Sequence, residues 1–561
     1  MAEDDGRRDF LKGAAIAAGA IALAAFGGPT PGEAQAITNP SSASTKKFGP
    51  ENALDHVVVI MFENRSFDNV LGRLYEPGEV AAFEGVIGKN LSNPIPEWAE
   101  HGADKKTAPY TVAGTMNSPP WDPGEEYNSV NTQLFGIQDP ENRGKLRGLK
   151  TYNAPPAGSR PTMDGFVTDY ISTFMAEERR QPTYEQFAQI MTGYAPAQMP
   201  VLSGAARGFA TFDHWFCEVP SCTFPNRSFF HAGTSSGFVV NYPPADAFPV
   251  HNTAETLFDR LDAAGLSWKV YCSPPSHYSL TGVIHAPRLR RKFATNFFSL
   301  EQFFEDARNG QLPTYAFIEP QIIGYDHNDM HPPFNMLLPG LTFDPPSSLL
   351  GGEALLAQVY NAIRSSSAAT GSNWLNTTLL VTFDEHGGTY DHVPPPSAVP
   401  PHPGVAPGQL GFTFDRSGVR IPTLAISAWI PERVVVTEEY RATSLIATMR
   451  ERWNLGPPLT ARDASARSFA NAGLFSLSKP RPPEDWPELV ARPVPKGPAS
   501  VFPLDAPLGL LGKSLFAGIL ALARDLGAKA PELDKDVPIT GAQAQIICDE
   551  VARGLFPGLS T

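Results

Sequence analysis

The sequence predicts an α/β fold in which a mostly parallel central sheet is covered by helices on both faces. Three observations predict it. The runs 56–62 and 378–383 are almost continuously apolar and rich in β-formers, without the polar alternation of a half-exposed strand, so each reads as a strand buried on both faces. Shorter runs of the same character lie at 267–271, 314–318 and 422–426. Between them stand helical patterns. Leu257, Phe258 and Leu261 share one face behind Thr253 as a candidate cap, with Gly265 where a terminal glycine belongs, and Leu355, Leu356, Val359 and Ile363 make a second such face. Strands alternating with helices give a parallel sheet whose ligand sites gather beyond the carboxyl ends of the strands.

The remaining segments frame that domain. Arg7-Arg8-Asp9-Phe10-Leu11-Lys12 precedes the apolar run 14–26, and Ala34-Gln35-Ala36 offers a cleavage site, which is the order of an export signal over residues 1–36. The apolar run is shorter than the about 20 residues that span a bilayer, so a mature chain starting near Ile37 is expected to carry no transmembrane anchor. The paired arginines resemble a twin-arginine signal, which implies export of the folded protein to the periplasm or beyond. A main domain is expected over 37–478, and within it 77–161, rich in Pro, Gly and Asn, reads as loop excursions over the site. Recurrent prolines make 479–507 a linker, and 508–561 holds two amphipathic helical patterns, at 514–526 and 540–556. With 561 residues, 42% of them hydrophobic, the chain can bury a large core, and its formal net charge of -14 argues against general electrostatic binding to nucleic acid. Cys217, Cys222, Cys272 and Cys548 form no zinc-type pair and read as buried thiols, although export would permit a bridge between Cys217 and Cys222.

The chemistry is expected directly after the two long strands. Glu63-Asn64 follows the first and Asp384-Glu385-His386-Gly387-Gly388 the second, and in a doubly wound sheet both ends face the same side. Converging carboxylates repel unless a cation lies between them, and a ligand set without cysteine favours one hard divalent ion, Mg²⁺, Ca²⁺ or Mn²⁺. Taken one at a time, each acidic pair would serve equally as a helix cap. A third segment, Cys217 to Arg227, brackets Thr223 between prolines. That restricts its hydroxyl as a nucleophile would require, and Asn226 and Arg227 supply donors for phosphate oxygens.

The stretches HVVVIMFENRSFDNVLG (56–72), MDGFV (163–167), MPVLSGAARGFATFDHWFCEVPSCTFPNR (199–227), NDMHPP (328–333) and TFDEHGGTYDHVPPP (382–396) resemble the ordered motifs of one family. It is the phosphoesterase family of bacterial phospholipases C, plant non-specific phospholipases C and an acid phosphatase branch, and the resemblance covers about 55–470. It implies an α/β/α sandwich of alkaline phosphatase type. It also implies that Glu63, Asn64, Thr223, Asp384 and Glu385 ligate one metal, that Thr223 becomes phosphorylated, and that His331 contacts the phosphoryl group. His392 is read as a group on the substrate side, either acting in the reaction or orienting Asp384 and Glu385. The implied substrate is a phospholipid, met through transient contact with a membrane surface, or else a phosphate monoester. Two departures bear on that choice: Glu125 stands where plant members have the histidine of DPGH, and Tyr440 to Ser444 stands where they have a Phe-x-His-Ser stretch.

Overall fold

The computed structural model describes residues 48–102, 104–145, 150–241, 244–274, 278–322, 327–333, 347–495, 510–527, 551 and 553–559. The expected export signal, the second half of the expected linker, most of the pattern at 540–556 and Cys548 lie outside the described residues.

In chain order the elements used below are β1 (His56–Phe62), α1 (Tyr127–Phe135), α2 (Phe166–Glu178), α3 (Pro200–Gly208), β2 (Ala210–Phe212), α4 (Thr223–Ala232), α5 (Leu257–Ala263), β3 (Trp268–Cys272), β4 (Phe297–Ser299), α6 (Leu300–Asn309), β5 (Tyr315–Glu319), α7 (Ser348–Arg364), β6 (Thr377–Phe383), β7 (Thr423–Ile426), β8 (Val434–Val436), α8 (Ser444–Trp453) and α9 (Leu510–Asp525). The strands form one eight-stranded sheet in the order β8-β2-β7-β6-β1-β5-β3-β4. All neighbours are parallel except β7, which runs antiparallel to both β6 and β2. The expectation that 422–426 is a parallel strand is thereby corrected. An apolar run buried on two faces carries the same pattern in either direction, so it cannot report its own sense.

Every residue of β6 is buried, and every residue of β1 but His56, as strands covered on both faces must be. Helices α3, α6 and α7 pack together in one layer, and α4, α5 and α8 in another, which gives the expected α/β/α sandwich. The cap of α5 differs from expectation. Thr256, not Thr253, accepts from Asp259 N, and the Asp259 side chain reaches back to the Thr256 N–H as a capping box.

Register decides where the site lies. β1 and β6 align from His56 with Thr377 to Phe62 with Phe383, so the two strands end level, and the terminal rings lie 5.6 Å apart. The segments that continue from these two ends must therefore leave the sheet side by side. Above that end, α1 and α2 cross on a separate apolar cluster built from Val130, Leu134, Phe166, Tyr170 and Ile171, so part of the expected loop excursion is a helix with its own core. At the other margin, Phe556 packs 4.2 Å from the ring of Phe293 and 5.6 Å from that of Phe297, beside the edge strand β4. Among the described residues no helix is long and apolar enough to cross a membrane.

Candidate active site

The level ends of β1 and β6 bring Glu63, Asn64, Asp384 and Glu385 together, all buried. Asp384 Oδ1 accepts from Asn64 N at 3.2 Å and from Glu385 N at 2.7 Å, tying one strand end to the other. Asn64 adopts a left-handed conformation with φ 57, and Gly387 packs so closely on it that a Cβ there would lie 2.3 Å from the Asn64 carbonyl oxygen.

Thr223 stands in the first turn of α4, and its hydroxyl donates to Glu63 Oε2 at 3.2 Å. The loop before it is held by Asn226. That side chain accepts from the N–H groups of Glu218 and Val219 and donates to the carbonyls of Val219, Ser221 and Cys222. Its hydrogen-bonding capacity is spent, so the expected phosphate contact of Asn226 is corrected to a role in shaping the nucleophile loop. Arg227 is buried in an ion pair with Glu63 and reaches Asp384 Oδ2 with Nε at 3.2 Å. It lies against the expected ligands rather than outside them, with Nη1 buried and lacking a hydrogen-bond partner among the described residues. Cys217 and Cys222 are free and buried; burial pushes both thiols well above their ordinary range, so neither is a thiolate nucleophile.

His331 meets the cluster at Asn64. Its Nε2 is 2.7 Å from Asn64 Nδ2 and 3.7 Å from Glu125 Oε2, and its Nδ1 is 2.7 Å from the carbonyl of Pro332. Glu125 itself accepts from Asn64 Nδ2. His392 is elsewhere. It contacts Asp68 Oδ2 at 2.6 Å through Nδ1 and Glu84 Oε1 at 2.9 Å through Nε2, so it does not orient Asp384 or Glu385.

The electrostatics fit a cation. Burial pushes the Glu63 carboxyl well above its ordinary range; Arg227 pulls it back, while Asp384 and Asp329 push it further up. Burial likewise raises Glu385, with Glu125 and Asp384 adding to the rise. Glu385 Oε1 and Asn64 Oδ1 are buried oxygens with no hydrogen-bond partner among the described residues. Several buried acids facing one guanidinium, with bare oxygens among them, make a donor set suited to a hard divalent ion.

Two arrangements were not read from the sequence. Asp329, inside the NDMHPP stretch, accepts from His331 N at 3.0 Å and lies 2.8 Å from His327 Nδ1, so it positions the histidine. Asp68, Asp391 and His392 bring three ligand-type atoms within 4.8 Å of one another and could hold a metal. Arg420 already forks between them, 2.8 Å from Asp68 Oδ1 and 2.9 Å from Asp391 Oδ1, and offsets part of their charge. Both groups lie within motifs visible in the sequence; their roles depend on contacts that are not.

The Phosphoesterase family pattern matches residues 54–456. Non-specific phospholipase C1 of Arabidopsis thaliana is 30% identical over 460 residues, covering 79% of this chain and 75% of its own. Non-specific phospholipase C6 of the same plant is 32% identical over 451 residues, covering 77% and 74%. Phospholipase C B of Mycobacterium tuberculosis is 26% identical over 522 residues, covering 87% and 89%. Among solved structures, an alkaline phosphatase superfamily protein from Vibrio parahaemolyticus aligns at TM-score 0.30 and 12% identity over 48% of this chain and 64% of its own, too slight a likeness to bear on the site. Because the family match takes in both strand ends and the helix that carries Thr223, this chain belongs to the Phosphoesterase family.

Proposed function

We propose that this chain is an exported, metal-dependent phospholipase C that cleaves glycerophospholipids to diacylglycerol and a phosphorylated head group through phosphothreonine at Thr223. The observation that carries the reading is the Thr223 hydroxyl, buried in the first turn of α4 and 3.2 Å from a carboxylate oxygen of Glu63. Glu63 is placed to draw off the hydroxyl proton as the oxygen attacks phosphorus, and the N-terminal end of α4 favours the negative charge that develops there. The bond from phosphorus to glycerol oxygen breaks, and the alcohol leaves with a proton from His331 or water. Water then attacks the phosphothreonine, the Thr223 oxygen leaves and regains its proton, and His331, with Nε2 facing the cluster, is the group placed to take the proton of that water. Glu63, Asn64, Thr223, Asp384 and Glu385 would hold the divalent ion, which when bound supplies positive charge for the phosphoryl oxygens. The names of the plant and mycobacterial relatives support the lipid substrate.

A broad acid phosphatase acting on monoesters uses the same phosphoryl centre and is the enzymatic rival. Purified protein incubated with phosphatidylcholine is expected to release diacylglycerol; in a parallel incubation with an aryl phosphate, turnover of that monoester alone would establish the rival. A non-catalytic, metal-stabilised envelope protein is the second rival. Thr223→Ala is expected to lower turnover at least about 10³-fold with melting temperature and metal content nearly unchanged. Full activity in that variant removes Thr223 from the reaction, and no activity in the wild type favours the binding protein. Export belongs to the same proposal. Arg7→Lys with Arg8→Lys should leave the folded protein in the cytoplasm, and normal accumulation outside it would refute the twin-arginine route.

A further inference from the structure

We infer that Glu125 is a positioning residue that builds the cation site by fixing which way the Asn64 amide faces; the inference rests on the metal reading above. The backbone of Asn64 has no freedom, since its N–H is bound to Asp384 and its carbonyl is packed on Gly387. Only the amide can turn. On one side it meets Glu125 Oε2 and, at 2.7 Å, His331 Nε2. His331 Nδ1 lies 2.7 Å from the carbonyl of Pro332, which can only accept, so Nδ1 carries a proton and, in the neutral ring, Nε2 presents a lone pair. Two acceptors therefore face the amide, and its NH₂ must turn to them. Reversed, the amide oxygen would oppose a carboxylate and a lone pair together.

The consequence appears on the other side. Asn64 Oδ1 is left buried and bare, and Glu385 Oε1 is bare as well. Glu125 is held rigidly for this task. Gly124 packs so tightly on Gly388 that a Cβ on Gly388 would lie 2.5 Å from the Gly124 carbonyl, and Gln133 donates to that carbonyl at 2.5 Å. The segment carrying Glu125 is thus clamped to the same turn that carries Asp384 and Glu385. What position 125 must supply is an acceptor; a donor there would call the amide oxygen away from the cluster.

Calorimetric titration of chelator-stripped protein with MnCl₂ tests this without reference to turnover. Glu125→Gln keeps an acceptor and is expected to bind within about threefold of wild type, whereas Glu125→Ala should bind about 10–100-fold more weakly, the range for groups that orient metal ligands. In an Asn64→Ala background, Glu125→Ala should add no further loss, because the residue through which it acts is gone. Metal-free melting curves verify folding, and if the alanine variant does not fold, Glu125→Leu is read in its place. Unchanged affinity in Glu125→Ala overturns the inference. So does Glu125→Gln binding as weakly as the alanine variant, or an equal loss in the Asn64→Ala background, either of which would mean that charge alone acts. Wild type that takes up no Mn²⁺ overturns both this inference and the metal reading; wild type that binds Mn²⁺ but cleaves no phosphodiester sinks only the substrate.

Discussion

Glu126 is a carboxyl group in an expensive place. One oxygen accepts from the Cys222 thiol at 3.3 Å, and the other is buried without a hydrogen-bond partner among the described residues. Burial, and then the charge of Glu125, push its pKa up to about 8. In the unfolded chain it ionises near 4.5, so between about 4.5 and about 8 the folded state holds the extra proton. Its contribution is complete below that window and is lost as pH rises through it, with a slope of up to about 1.4 kcal/mol per pH unit. Glu126→Gln removes the titration, so its urea midpoint should fall less steeply than that of wild type between pH 5 and 8; parallel profiles would show that Glu126 is already ionised in the fold. At this scale the sequence was informative about identity and silent about partners. Glu63, Asn64, Asp384, Glu385, Thr223 and His331 could be read from their place after strands or in motifs, and the structure brings them together. The uses of Asn226 and His392 could not be read, because an amide or imidazole in a motif is compatible with any partner its loop happens to reach.

Elements were legible where periodicity was strong and illegible where direction or closeness mattered. The two long strands and the helix over 348–364 follow from apolar patterning alone. The sense of β7 does not, and neither does α1, whose residues lie in a stretch that reads as loop. Gly165 was the available clue to α1. A Cβ on it would lie 1.7 Å from the Thr132 carbonyl oxygen, so the crossing of α1 and α2 is possible only with glycine there. Gly165→Ala must push α1 aside, and overpacking of that kind costs about 1–3 kcal/mol. The variant should melt lower than wild type and, because Glu125 enters just before α1, bind Mn²⁺ more weakly. A melting temperature equal to that of wild type would mean that the crossing is loose and that α1 does not fix Glu125.

On the scale of the whole molecule, the sandwich was predicted from strand and helix alternation, but the place where the tail docks was not, because amphipathic patterns do not name the surface they cover. Helix α9 lies against the short helices Ala247–His251 and Leu280–Ile284. Phe556 fills a space over Gly282, where a Cβ would be 2.6 Å from its ring. The turn Pro557–Leu559 sits on β4, with Gly558 so close that a Cβ on it would lie 2.3 Å from the Phe297 carbonyl. A chain ended after residue 509 should therefore keep its phosphoryl chemistry, which lies at the level ends of β1 and β6, but sediment as larger species as concentration rises; a single sharp boundary like that of the full chain would refute this. An open strand is a template for another copy, and here the turn Pro557–Leu559 lies against that edge strand. Shelf life and turnover are thus set in different parts of the chain, and a protease nick near the carboxyl end could empty a preparation of protein while every molecule still in solution works at full speed.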